Sequence, residues 1–170
     1  MFKFSITATN FHWINGKEDD EKDLCLHGHT VVEIGDELFE YDATISATAL
    51  YLLKSLKEDH IINKEIQMLP CCGNTILLKN DNSNDVFIMG CDNGIDWSII
   101  HQKENVKIIT SSGNETIIPI KEYTNEVYKF ADLIEDYYKK CKNKILPKNK
   151  FDRDGYIAFW NEWHRRRNSL

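Results

Sequence analysis

Apolar and polar residues alternate from the start of the chain. Phe2, Phe4, Ile6 and Ala8 fall on one side of an extended backbone, and Lys3, Ser5 and Thr7 on the other. Side chains two apart share a face of a strand, so residues 2–9 read as a half-buried strand. The stretch 15–23 holds one glycine and mostly charges, and reads as a solvated loop. Two further runs, 24–34 and 37–41, flank Gly35-Asp36. Glycine first in a two-residue loop predicts a type II′ hairpin. That turn sets Val32 against Phe39 and Thr30 against Tyr41, and gathers them with Leu24, Leu26 and Ile34 on an apolar face.

The period then changes. Over 42–59 the apolar residues Ile45, Ala49, Leu52, Leu53 and Leu56 recur at helical spacing, with Asp42, Thr44 or Ser46 to cap the start. A loop through Pro70-Cys71-Cys72-Gly73 leads into five short runs at 75–79, 85–90, 95–101, 106–110 and 115–118. Turn clusters at 80–84, 92–94, 103–105 and 112–114 separate them. Short connections make neighbours antiparallel, which predicts a meander. A long helix follows over about 120–142, its stripe formed by Tyr123, Val127, Phe130, Ile134, Tyr137 and Cys141. A final helix over about 154–167 carries Tyr156, Trp160 and Trp163 on one stripe. It ends in Arg165-Arg166-Arg167, where positive charge complements the helix dipole. Strands followed by segregated helices define an α+β class. The expectation is one domain over 1–170, with an antiparallel sheet (hairpin plus meander) packed against three main helices.

Composition narrows the setting. The chain has 170 residues, of which 42% are hydrophobic and 28% charged, with only three prolines and eight glycines to interrupt it. A chain of that size buries about two thirds of the surface its unfolded form exposes. No run approaches the ~18 apolar residues of a membrane span. The alternating start lacks the basic-then-apolar pattern of a signal peptide, so a cytoplasmic location is expected. Five cysteines, an odd number, fit free thiols in a reducing compartment. Lysine outnumbers arginine, and isoleucine and asparagine are abundant. These residues use A/T-rich codons, as in a low-GC bacterium. The net charge of −6 disfavours direct binding to a nucleic-acid backbone and suits a basic protein partner.

Candidate chemistry centres on Cys25-Leu26-His27-Gly28-His29. On a strand, Cys25, His27 and His29 project together, opposite Leu24 and Leu26. The hairpin register brings Asp42 opposite His29, where a carboxylate would orient the imidazole. Sulfur, nitrogen and oxygen donors of this kind hold Zn²⁺, and Cys71, Cys72, Cys91 or His12 could add a ligand. The plainer reading is the polar outer face of a strand. Cys71-Cys72-Gly73 is a second candidate, as a reactive thiol, although no helix start or histidine adjoins it in sequence. The oxygen-rich run 91–96 is too short for a calcium loop, and Asn93-Gly94 reads as a hairpin turn. The aromatic terminal helix is either core or contact surface, since Trp and Tyr are enriched in binding hot spots. No phosphate-binding glycine loop and no nucleophile elbow occurs.

The leading expectation is a non-enzymatic protein-binding domain, an adaptor or an immunity-type inhibitor of a basic partner. Its contacts would be Asp19, Asp20 and Glu21 in the charged loop and Trp160 and Trp163 in the last helix. The alternative is a zinc-dependent hydrolase or metal-binding protein built on Cys25, His27, His29 and Asp42. A third reading is a thiol enzyme using Cys71 or Cys72.

Overall fold

The computed structural model of the chain describes residues 3–16, 19–80 and 83–169. The expectations for Phe2, for Lys17 and Glu18 in the charged loop, and for Asp81 and Asn82 in a turn lie outside those residues. The N-terminal run folds as β1 (Phe4–His12), which pairs with β2 (His27–Ile34), itself paired with β3 (Glu37–Ala43). Both pairings are antiparallel. Val32 faces Phe39 and Thr30 faces Tyr41, as the turn chemistry requires. Gly35 takes a φ of 60°, whereas Asp36 does not enter positive φ, as expected of a type II′ turn. β1 runs further than its alternation predicts. A bulge between Thr9 and His12, with Asn10 at a φ of 53°, turns the end of the strand.

This sheet keeps its apolar row inward. Phe4, Ile6, Val32 and Ile34 are buried, and Thr30 joins them by donating its hydroxyl proton to Tyr41 O at 2.7 Å. Against this row lies α1 (Ile45–Lys54), all ten of whose residues are buried. The helix is shorter than its 42–59 period suggests. Asp42 and Ala43 stay in the ladder opposite His29 and Gly28, and the Thr44 N–H is given to Pro70 O at 2.9 Å. Because α1 is enclosed on every side, its polar groups need internal partners. Ser46 Oγ accepts the Leu26 N–H, and Lys54 Nζ donates to Val86 O at 2.7 Å.

The expected five-strand meander is divided. β4 (Leu69–Pro70), β5 (Thr75–Leu78), β6 (Val86–Met89) and β7 (Gly94–Ile95) form two ribbons, β5 with β6 and β4 with β7. The end of the expected run, β8 (Trp97–Gln102), β9 (Asn105–Thr110) and β10 (Glu115–Pro119), does make a meander. Two residues explain the division. At Gly94 a Cβ would sit 2.6 Å from Leu69 O, so the missing side chain lets residues 69–70 capture this segment. At Asp96 the carboxylate is buried and accepts backbone N–H groups from Asn63, Met68 and Trp97, which separates β7 from β8.

α2 (Ile120–Lys140) buries Tyr123, Val127, Phe130 and Ile134 as its stripe predicts. α3 (Lys150–Arg167) begins four residues before the expected start, because the Asn149 side chain accepts the Phe151 N–H at 2.9 Å. Gly155 lets α3 lie directly on β5: a Cβ there would sit 2.0 Å from Ile76 O. The architecture is α+β, with three helices and several antiparallel sheets among the described residues. No helix among those residues is long and apolar enough to cross a membrane.

Candidate functional site

The outer face of the β1–β2–β3 sheet is the first candidate. Residues on its uncovered side follow from the register: Ser5, Glu33 and Leu38 in one row, Thr7, Val31 and Glu40 in the next, Thr9, His29 and Asp42 in the third. Leu38 is 58% exposed, and Glu40 and Asp42 are also exposed. His29 Nδ1 lies 2.8 Å from Asp42 Oδ1, and its Nε2 lies 3.8 Å from Glu40 Oε2. An imidazole between two carboxylates is held by its Nδ1 contact, so it presents Nε2 outward. Glu33, paired with Lys3 and accepting from the Ser5 hydroxyl, is held below the usual carboxylate range by those hydrogen bonds.

The structure divides the proposed zinc set. His29 and Asp42 meet, whereas His27 turns its Nε2 toward Thr44 Oγ1 at 3.2 Å. Cys25 precedes the strand and is buried, with its Sγ 3.6 Å from Gly73 O. Burial pushes its thiol up to about 12, so it is neither a ready thiolate nor a neighbour of the histidines' open face. His12 stands beside His27, ring centroids 5.8 Å apart. Among the described residues no group of three His, Cys, Asp or Glu side chains is arranged to hold a metal ion. The strand period places alternate residues correctly only from His27 onward, so the sequence pattern carried Cys25 into a ladder that it does not enter.

The acidic loop is occupied by its own chain. Asp19 accepts the Lys142 N–H, the Asp20 carbonyl accepts from Lys144 Nζ, and the Glu21 carbonyl accepts the Ile145 N–H at 2.8 Å. All three residues are half-buried. They fasten the segment between α2 and α3, a role that requires contacts across more than a hundred residues of sequence. Of the two tryptophans, Trp163 is fully buried and donates its Nε1 proton to Glu135 at 3.1 Å. Trp160 is half-buried and stacks on His164, with centroids 5.7 Å apart. It borders an open recess of about 360 Å³ with Tyr138, Tyr156, Lys139 and Lys144.

A third cluster joins residues that lie far apart in sequence. The loop after β4 runs antiparallel to the loop before β7, and the Cys71 N–H donates to Asn93 O at 3.1 Å. This places Cys71, Cys72 and Cys91 together, with the Cys91 N–H donating to Cys72 Sγ at 3.0 Å. The Tyr41 hydroxyl meets the Cys71 thiol, and burial raises the Tyr41 pKa above its ordinary value, with Cys71 adding to the shift. Cys71 is exposed and the other two are half-buried. All five cysteines are free. Sequence reading singled out the adjacent pair but had no means to add Cys91, because the β4–β7 pairing carries no local signature.

Compared with protein-family models, with curated proteins and with solved structures, the chain matches none of them.

Proposed function

We propose that the chain is a non-enzymatic protein-binding domain that receives a basic partner on the uncovered face of the β1–β2–β3 sheet. The observation that carries this reading is the row of Leu38, Glu40 and Asp42, all exposed on β3, beside half-buried Val31 and His29. An apolar residue flanked by carboxylates supplies the two things a docking face needs: area to remove from water and charge to orient the approach. The net charge of −6 strengthens attraction to a basic surface at long range. The contact surface therefore moves from the 19–21 loop and Trp163, which the fold engages internally, to the sheet face.

The test is capture from a lysate of the source organism on the immobilised chain. The wild type should retain a stoichiometric basic protein that is released as salt rises. A Leu38→Ser, Glu40→Lys, Asp42→Lys variant, altered only at exposed positions, should lose it. Equal capture by both proteins, or capture of nothing, removes the reading.

A second reading, a zinc-dependent hydrolase or metal-binding protein at His27 and His29, draws on the His29–Asp42 contact at 2.8 Å. Metal analysis of protein purified without added zinc decides it. Near-stoichiometric zinc that disappears in a His27→Ala, His29→Ala variant supports it, and protein free of zinc removes it.

A further inference from the structure

We propose that Cys72 and Cys91 form an oxidation site: a dithiol that closes to a disulfide by exchange with a low-molecular-weight disulfide such as oxidised glutathione. The geometry comes first. Cys72 Sγ lies 3.0 Å from the backbone nitrogen of Cys91. A sulfur at that distance from a residue's own nitrogen is within reach of that residue's side chain through a χ1 rotation. The approach is enforced by the backbone on both sides. Pro70 pairs with Gly94, the Cys71 N–H is bound to Asn93 O, and at Gly90 a Cβ would sit 2.8 Å from Cys72 O. Only glycine at position 90 lets the two cysteine-bearing segments come this close.

The surroundings assign roles. The Cys91 sulfur sits among Cys72, Cys71 and the Asn93 backbone; hydrogen bonding there, from Cys72 above all, holds the Cys91 pKa below its ordinary value, while that of Cys72 is raised. Cys91 is thus the first attacking thiolate. Its sulfur attacks one sulfur of the reagent disulfide, and that disulfide bond breaks. One reagent thiolate leaves, and a mixed disulfide forms on Cys91. Cys72 then loses its proton to solvent and attacks the Cys91 sulfur, releasing the second reagent thiolate. The protein loses two electrons and two protons, and the reagent disulfide is reduced to two thiols. Cys71 also reaches the Cys91 sulfur, but the Tyr41 hydroxyl engages it from β3, and it is Cys72 whose sulfur lies 3.0 Å from the Cys91 backbone, so Cys72 is assigned as the resolving thiol. The bond closes a loop around the β5–β6 ribbon, which packs on α3 at Gly155.

The experiment uses the full chain, reduced and then incubated with oxidised glutathione, alkylated and mapped by mass spectrometry. The expected result is the loss of two hydrogens from the intact mass and a linkage between the peptides holding Cys72 and Cys91. Cys25, Cys71 and Cys141 should carry the alkyl group. Cys71→Ser should behave as the wild type, and Cys72→Ser should accumulate one glutathione on Cys91. Cys91→Ser should form no internal linkage and consume the reagent at least tenfold more slowly. Five alkylated cysteines after oxidation would overturn the proposal. So would a linkage through Cys71, or a Cys91→Ser variant that reacts as fast as the wild type.

Discussion

Glu162 on α3 and Val86 on β6 are joined by a hydrogen bond of 2.6 Å, from the Val86 N–H to Glu162 Oε2. The Val86 carbonyl is taken by Lys54 Nζ from α1 at 2.7 Å, and the Ile88 N–H points to the Tyr51 hydroxyl. Among the described residues, β6 pairs with β5 and its other edge carries no strand. Its free edge therefore ends not in water but in side chains from two helices. The groups that saturate it are charged and buried: Lys54, Glu162 and Arg166 are at most 6% exposed. Arg166 Nε lies 2.7 Å from Glu162 Oε1, and a further Arg166 nitrogen meets Glu58.

Removing the central member of this network takes one buried partner from each of the others, leaving Lys54 to the Val86 carbonyl and Arg166 to Glu58 and Asp85. Glu162→Ala leaves Lys54 and Arg166 buried without their shared carboxylate, and leaves the Val86 N–H unpaired. A broken buried ion pair costs about 3–5 kcal/mol. Urea unfolding should show a stability loss in that range. A loss below about 1 kcal/mol would mean that the network does not hold the ribbon to the helices.

Gly155 offers a test with two opposing effects. Alanine in a helix is favoured over glycine by about 1 kcal/mol. Here, however, the added Cβ meets a backbone oxygen at 2.0 Å, so α3 must move off β5. Overpacking of that kind costs about 1–3 kcal/mol, and more where backbone must shift. Gly155→Ala should therefore destabilise despite its better helix propensity, read as a lower thermal midpoint.

Asp96 holds the 60–68 loop. Its Oδ1 receives Met68 N at 3.1 Å, Trp97 N at 3.0 Å and His60 Nε2 at 2.8 Å, and its Oδ2 receives Asn63 N at 3.2 Å. With so many donors on one buried carboxylate, Asp96→Ala leaves several unpaired, at about 1–3 kcal/mol each before relaxation. Amide hydrogen exchange should accelerate at Met68 and Asn63 in this variant. Unchanged protection there would refute the assignment.

His27 predicts a pH dependence. Burial holds its pKa below the ordinary 6.5, against the pull of the Asp23 carboxylate and with the help of His12. The unfolded chain therefore binds the proton more readily than the folded one. His27's contribution to stability is full above about pH 6.5 and is lost as pH falls toward the folded value. Urea midpoints measured at about pH 7.5 and about pH 5.5 should drop more for the wild type than for His27→Gln. Parallel drops would show that His27 does not gain or lose a proton differently on folding.

Most of the local elements were legible in the chain. The alternation of Phe4, Ile6 and Ala8, the Gly35-Asp36 turn and the stripe from Tyr123 to Ile134 each encode an element within a few neighbouring residues. The element ends were harder to read. Asp42 continues a helical period but is retained by its ladder partner His29, and α3 starts early because Asn149 caps it. The candidate sites were less legible still. The strand pattern put Cys25 with the histidines, yet it sits before the strand with its sulfur at Gly73. Nothing near Cys72 in sequence points to Cys91.

The sequence by itself determined which residues alternate, where helical stripes run and which short turns reverse the chain. These depend on side-chain period and on backbone preferences of single residues, both local quantities. Tertiary structure alone decided that Gly94 joins residues 69–70, that Glu162 and Lys54 close the free edge of β6, and that three thiols share one corner. Those outcomes depend on which backbone can approach which, and on buried charges finding partners. Such choices are settled by distances between segments far apart in the chain, where no local pattern reaches.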